Sequence, residues 1–246
     1  MLQQKADNVY STIRTAFADI VQRHGLESEE IRVWAKPLSP EEAIGNPEES
    51  DYPLVKGREW LMQAEIRGSV GQAFTDMYGD FNGKLMDVVK MELTNNFRRA
   101  IFISTLNAVM RHLDMADKTI HCKDEEPKIC AQKMVEFIRE RYGEPKIAFV
   151  GLQPRMVEEL SKAFEMRVTD MDKDNIGTER AGVMIEPPEN WKECLEWADI
   201  AIVTGTTVVN GTIGQFITDK PTVYYGTTIS GVARLLNLEH FCYCGH

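Results

Sequence analysis

The pattern of hydrophobic and polar positions changes character near Pro127. Before it, Val9, Ile13, Phe17, Ile20 and Val21 recur at spacings of three and four, which predicts an amphipathic helix over residues 5–22. A short strand is expected from Ile31 to Ala35, then a loop rich in Pro, Glu and Asn from Pro37 to Pro53, then a half-buried strand from Glu59 to Arg67. Phe102, Ile103, Leu106, Val109, Met110 and Leu113 fall on one stripe of a helix over residues 96–113, wide enough to face a core. Strands followed by helices in this order predict an α+β domain over residues 1–120.

From Pro127 on, short apolar runs alternate with helical segments. A helix from Lys128 to Tyr142 ends at Gly143 and Pro145. The run Lys146–Val150 reads as a strand entering Gly151, and a helix opens at Pro154, a residue tolerated in a first helical turn. Further strands are expected at Arg167–Asp170, Asp199–Val203, Thr222–Tyr225 and Phe241–Cys244, with helices around Trp191–Trp197, Gly211–Thr218 and Ile229–Leu236. This alternation predicts a parallel sheet covered on both faces, a Rossmann-like α/β domain over residues 121–246.

Composition narrows the function. The chain has 246 residues, 43% of them hydrophobic, so two domains can each bury a core. A net charge of −10 without a basic stripe argues against nucleic acid as a partner. No apolar run nears the roughly 18 to 20 residues of a membrane span, and no signal peptide opens the chain, so a cytoplasmic location and no membrane partner are expected. Whether the chain forms a homo-oligomer stays open. Five cysteines, an odd number in a chain of this size, read as buried thiols, metal ligands or redox groups rather than as a disulfide framework.

In an open parallel sheet, ligands bind beyond the carboxyl ends of the strands, where strand order reverses. The densest such end is Thr204-Gly205-Thr206-Thr207 with Asn210-Gly211-Thr212: small residues admit a ligand to the backbone and four hydroxyls can donate. A helix N-terminus expected to follow favours an anionic group. The competing explanation is that these threonines cap the helix and satisfy the loop. Gly226 and Thr227 mark a second strand end. Asp170 lies 19 positions after Gly151, near the spacing of a ribose-binding acid, but the turn Gly-Leu-Gln-Pro-Arg-Met lacks the other glycines of a dinucleotide loop. Asp170, Asp172 and Asp174 imitate a calcium loop whose glycine and glutamate positions are filled by Asn175 and Ala181.

Two segments carry candidate ligands for a transition metal ion. His121 and Cys122 stand at the join between the halves, and Cys242 and Cys244 close the chain between His240 and His246. On an extended strand, same-face neighbours are almost 7 Å apart at about 3.3 Å per residue, whereas two thiolates on one zinc are at most about 4.6 Å apart. Either the terminal segment bends, or one of its cysteines acts with partners from elsewhere. Cys130, near the start of a helix, reads as core. Walker, Ser-His-Asp and H-E-x-x-H patterns are absent from the sequence.

Taken together, Gly71-Gln-Ala-Phe-Thr-Asp76, Asn95–Ala100, Leu106–Val109, His121–Asp124, Val203–Thr212 and Gly226–Thr228 make the chain resemble a family of microbial proteins associated with heavy-metal chelation. The resemblance spans nearly the whole chain. It implies an enolase-N-terminal-like domain ahead of the Rossmann-like one, a site in the cleft between them, and a role in metal handling. It also makes Gly68–Asp76 a tight loop, with Gln72, Thr75 and Asp76 candidates to face the cleft. The leading expectation is therefore a metal-binding protein. The alternative is an enzyme that binds a nucleotide, S-adenosylmethionine or another small anionic metabolite in the same crevice; no nucleophile or general base can be named.

Overall fold

The first helix, α1 (Leu2–Arg23), buries Ile13, Phe17, Ile20 and Val21, the stripe expected from their spacing. The structure is a computed structural model that describes residues 2–28, 32–48 and 51–246; Ile31, where the first strand was expected to begin, lies outside the described residues. A four-stranded antiparallel sheet follows, from β1 (Arg32–Pro37), β2 (Trp60–Ile66), β3 (Ser69–Thr75) and β4 (Phe81–Lys84), in the order β3-β2-β1-β4. Short helices α2 (Pro40–Ile44) and α3 (Leu85–Val89) flank it. The segment after β2 is a hairpin strand and not the expected loop. Arg67 and Gly68 both take positive φ, 49° and 79°, the geometry of a two-residue hairpin turn, and Ile66 pairs directly with Ser69.

Helix α4 (Asn96–His112) is buried all round, with every residue from Ala100 to Met110 inaccessible. It was expected to present one apolar stripe; its second face is instead covered by the other half of the chain. Strand β3 lies directly on its backbone. A Cβ at Gly71 would fall 2.2 Å from the amide nitrogen of Ala108 and 2.4 Å from the carbonyl oxygen of Ser104, so only glycine fits there.

The second half contains α5 (Glu126–Tyr142), β5 (Ile147–Val150), α6 (Pro154–Ser161), β6 (Met166–Thr169), β7 (Glu179–Arg180), β8 (Val183–Glu186), α7 (Trp191–Trp197), β9 (Ile200–Thr204), α8 (Thr207–Asn210), β10 (Thr222–Tyr225), α9 (Ser230–Leu236) and β11 (Glu239–Phe241). Its sheet runs β11-β10-β9-β5-β6-β8-β7, parallel except for the edge pair β7–β8. Counted along the chain, the parallel strands take the order 3-2-1-4-5-6 of the doubly wound α/β fold. The protein is thus α/β, an antiparallel sheet ahead of a parallel one. From β5 the chain proceeds to β6 on one side and from β9 to β10 on the other, so the crevice between β5 and β9 is the switch point.

Two expected elements differ. The helix expected over Gly211–Thr218 is instead the single turn α8, ended at Gly211 with φ 81°, followed by a 3-10 turn at Ile213–Gln215. The last strand stops at Phe241, and Cys242–Cys244 bends away. One core joins Ile13, Phe17, Val33 and Met62 of the first half to Val203, Val208, Tyr224 and Ile229 of the second. No helix among the described residues is long and apolar enough to cross a membrane.

Candidate functional site

A cavity of about 590 Å³ opens at the switch point, within the range of small-molecule sites. Its floor is the carboxyl ends of β5, β6, β9 and β10. Its opposite wall comes from the first half, through Leu54, Glu59, Phe74 and Asp76.

The floor is shaped by glycine and hydroxyl chemistry. Gly151 has φ 86°, and a Cβ there would meet the Thr204 methyl at 2.6 Å, so β5 and β9 can diverge only around glycine. The Tyr225 hydroxyl donates to the Gly151 carbonyl at 2.8 Å. Thr204, Thr206, Thr207, Asn210 and Thr212 all line the cavity. The Thr204 and Thr206 hydroxyls bond each other at 3.1 Å, and Thr207 donates to the Thr204 carbonyl at 2.8 Å, so part of their capacity already holds the loop. Because α8 is one turn long, the helix N-terminus expected behind Gly211 is missing, and with it the dipole argument for an anion. From the first half, Arg99 and Tyr10 donate to the Val209 and Val208 carbonyls and fix this turn from behind.

Among the other expected site residues, Gly226, Asp170 and Asp76 reach the cavity. Gly205 packs against Ile229, where a Cβ would meet side-chain carbon at 2.9 Å, and Gly211 is the left-handed end of α8. Thr227 is 1% exposed and lies beneath the surface. Gln72 and Thr75 are buried in β3: the Gln72 side-chain oxygen accepts from the His121 amide at 2.7 Å, and Thr75 turns the backbone at Met77.

Asp170 does local work. One oxygen accepts from the Leu152 amide at 2.6 Å, the other from the Asp172 amide at 2.8 Å and the Asn175 side chain at 3.1 Å. Around it, the described cavity lining carries Glu59, Asp76, Asp124, Asp172 and Asp174 as well, six carboxylates against the two cations Arg58 and Lys173. Arg58 is already paired with Asp174 across the mouth. Glu59 has no hydrogen bond or ion pair among the described residues. Burial, then the charges of Asp170, Asp76 and Asp172, push its carboxyl up to about 7. Sequence reasoning passed over Glu59 as a strand end; the only available signal was a carboxylate at the start of a run destined to be half-buried.

The imidazole of His121 lines the cavity, edge-on to Phe74 with ring centres 5.0 Å apart, and its Nδ1 is buried without a hydrogen-bond partner. Burial lowers its pKa to about 4, so the ring is neutral and keeps a free lone pair. Cys122 and Cys242 also line the cavity, joined by Cys130, which the sequence presented as core. The bend after Phe241 packs Cys244 against the apolar cluster that contains Cys130. Burial raises all four thiols, Cys242 to about 12 and Cys244 to about 11, so each is protonated at neutral pH. Among the described residues, no three His, Cys, Asp or Glu side chains converge as a ready-made metal centre. The donors therefore suit an ion that brings its own ligands or needs few, and do not suit a closed tetrahedral site.

Residues 133–229 match the model of the DUF364 family, whose description is "Putative heavy-metal chelation". No curated protein matches the chain. Among solved structures, the chain is similar to a protein of unknown function of that family from Pyrococcus horikoshii, with 17% identity over 89% of this chain and 79% of that one and a TM-score of 0.56. A second, from Desulfitobacterium hafniense, is also of unknown function and of that family, with 11% identity over 72% of each chain and a TM-score of 0.51. At these identities the likeness concerns the fold.

Proposed function

We propose that the protein binds a metal ion, carried by a small organic ligand as a cationic complex, in the cleft between two domains comprising residues 1–120 and 121–246. The first would be the enolase-N-terminal-like domain and the second the Rossmann-like one. The observation that carries this reading is the charge of the cavity: among the described residues, six carboxylates face two cations in a space far larger than a bare ion. Such a lining attracts a cation and repels a free polyphosphate. The neutral imidazole of His121 and the thiols of Cys122 and Cys242 offer softer donors on the same wall, and the family description agrees in kind. Thr204, Thr206, Thr207 and Asn210 would hydrogen-bond the organic part.

The test is a thermal-shift series on reduced protein with cobalt(II), nickel(II), zinc(II) and iron(II), each alone and as a chelate with a neutral polyamine. A cation at 100 times its Kd should add about 2.7 kcal/mol of stability. The gain should fall at least tenfold in affinity in Asp76→Asn and Glu59→Gln. A series in which no cation raises the melting temperature ends this reading.

A second reading has one observation behind it: Asp170 follows the second parallel strand, close to the turn after the first, where ribose-binding acids stand. It predicts that S-adenosylmethionine, NAD or ATP raises the melting temperature. Asp170→Ala is a poor discriminator, because the loop amides it holds would be released as well. A flat response to all three adenine compounds removes the alternative.

A further inference from the structure

We infer that Cys122, Cys130, Cys242 and Cys244 form a docking point for a soft monovalent ion of the copper(I) class, held between two sulfurs on the cavity wall. This deepens the proposed function and relies on it only for the route by which the ion arrives.

The four residues come from distant parts of the chain and are brought together by specific contacts. Cys122 follows the segment at the join, Cys130 lies early in α5, and the other two stand in the bend after β11. The terminal segment is tied down by two backbone hydrogen bonds, Ile120 to His246 and His246 to Ile120, both 2.9 Å. Gly245 permits the bend: a Cβ there would lie 2.6 Å from the Cys242 sulfur. Cys122, Cys130 and Cys242 line the same cavity, and Cys244 packs against the apolar cluster that contains Cys130. The remaining cysteine, Cys194, is elsewhere, against Glu186. Three of the five cysteines thus line the cavity, with Cys244 packed behind against the cluster of Cys130.

The donor set selects the ion. Sulfur ligands favour soft ions such as copper(I), and zinc takes four ligands in a structural site. Among the described residues no three donors are arranged to hold one ion, whereas copper(I) is satisfied by two in a linear arrangement. Loading is balanced: the ion and two thiols give a bis-thiolate complex with one negative charge, and two protons leave to water. Lys118, whose charge acts on both Cys242 and Cys244, offsets the charge left behind. Cys122 and Cys130 are 7% and 5% exposed, so the bound ion is shielded from solvent oxidants while Cys242 and Cys244 keep an approach open.

The experiment titrates the reduced full chain with copper(I) under anaerobic conditions. It reads the ultraviolet thiolate-to-copper charge-transfer band and the copper retained after gel filtration. The expected result is one copper per chain with a band in the native protein and in Cys194→Ser, and loss of both in Cys130→Ser and in Cys244→Ser. Zinc(II) should give no thiolate absorption. Cys244 is half-buried, so its serine variant decides the matter even if Cys130→Ser fails to fold. A band that survives in Cys244→Ser, or no band in the native protein, overturns the inference. If the band forms while no cation or chelate shifts the melting temperature of Cys244→Ser, the cleft reading falls and the thiol site stands. If those shifts persist without a band, only the thiol site falls.

Discussion

Glu59 is a carboxylate that feels the charges of three others, Asp170, Asp76 and Asp172, with no cation bonded to it among the described residues. Its pKa is near 7 in the folded protein against an ordinary 4.5, so between those values the folded state holds more protons than the unfolded state. The contribution of Glu59 to stability therefore falls as pH rises from about 4.5 to about 7 and is flat above. Glu59→Gln removes that penalty. We expect the variant to be more stable at pH 8 by on the order of 1–2 kcal/mol, after discounting for partial exposure, and no different at pH 4. Urea melts at the two pH values measure it, and an equal effect at both would remove the buried charge as the cause. Gly151 gives the opposite case: Gly151→Ala places a methyl at φ 86° and 2.6 Å from Thr204, and should cost about 1–3 kcal/mol or more. A melting temperature unchanged in that variant would refute the close approach of β5 and β9. At this scale the sequence was informative where a residue type has one use. The Thr204–Thr212 run could be placed at a strand end from the pattern of strands, whereas Asp76 became a candidate for the cleft only through the family resemblance. Glu59 and Cys130 could not, because their neighbours in space are far away in sequence.

Strands buried on both faces announce themselves by unbroken apolar runs, which is why Ile147–Val150, Ile200–Thr204 and Thr222–Tyr225 were legible within a residue or two. Strand β8 was missed: its run of Val183, Met184 and Ile185 is short and follows a turn, and Met184 faces solvent. The helix expected at Gly211 was displaced because Gly211 takes the left-handed conformation that ends a helix. The greater surprise is α4, whose polar residues Ser104, Thr105 and Asn107 are fully buried. Asn107 explains its own place. Its amide nitrogen donates to the carbonyls of Gln72, Thr227 and Thr228 at 2.9, 3.3 and 3.1 Å, and its oxygen accepts from the Gly231 amide at 2.9 Å. One side chain thus ties β3 to the turn that opens α9. Asn107→Leu would leave these backbone groups buried without partners, at about 1–3 kcal/mol for each one not rescued by water. We expect a loss of at least about 3 kcal/mol by chemical denaturation; a loss under 1 kcal/mol would show that the hub is dispensable.

The same helix decides how the whole molecule unfolds. The order of elements suggests two domains, yet the apolar face of the second half, with Val203, Val208, Tyr224 and Ile229, is buried in one core with Phe17, Met62, Phe102 and Leu106 of the first. A fragment of residues 121–246 would expose that face to water, at about 25 cal/mol for every Å² uncovered. Stability of a domain is only about 5–15 kcal/mol, so uncovering several large side chains at about 1.5–3 kcal/mol each is enough to unfold it. We therefore expect one cooperative transition for the full chain. The tryptophans provide the reporters, since Trp34 and Trp60 lie in the first half and Trp191 and Trp197 in the second. Replacing either pair by phenylalanine leaves fluorescence from one half alone, and the two variants should give urea curves with coincident midpoints after correction for the stability change seen by circular dichroism. The fragment 121–246 should lack a cooperative melt. Midpoints that separate, or a fragment that melts cooperatively by itself, would mean that α4 only bridges two independent units. The cavity between them could then open without unfolding either.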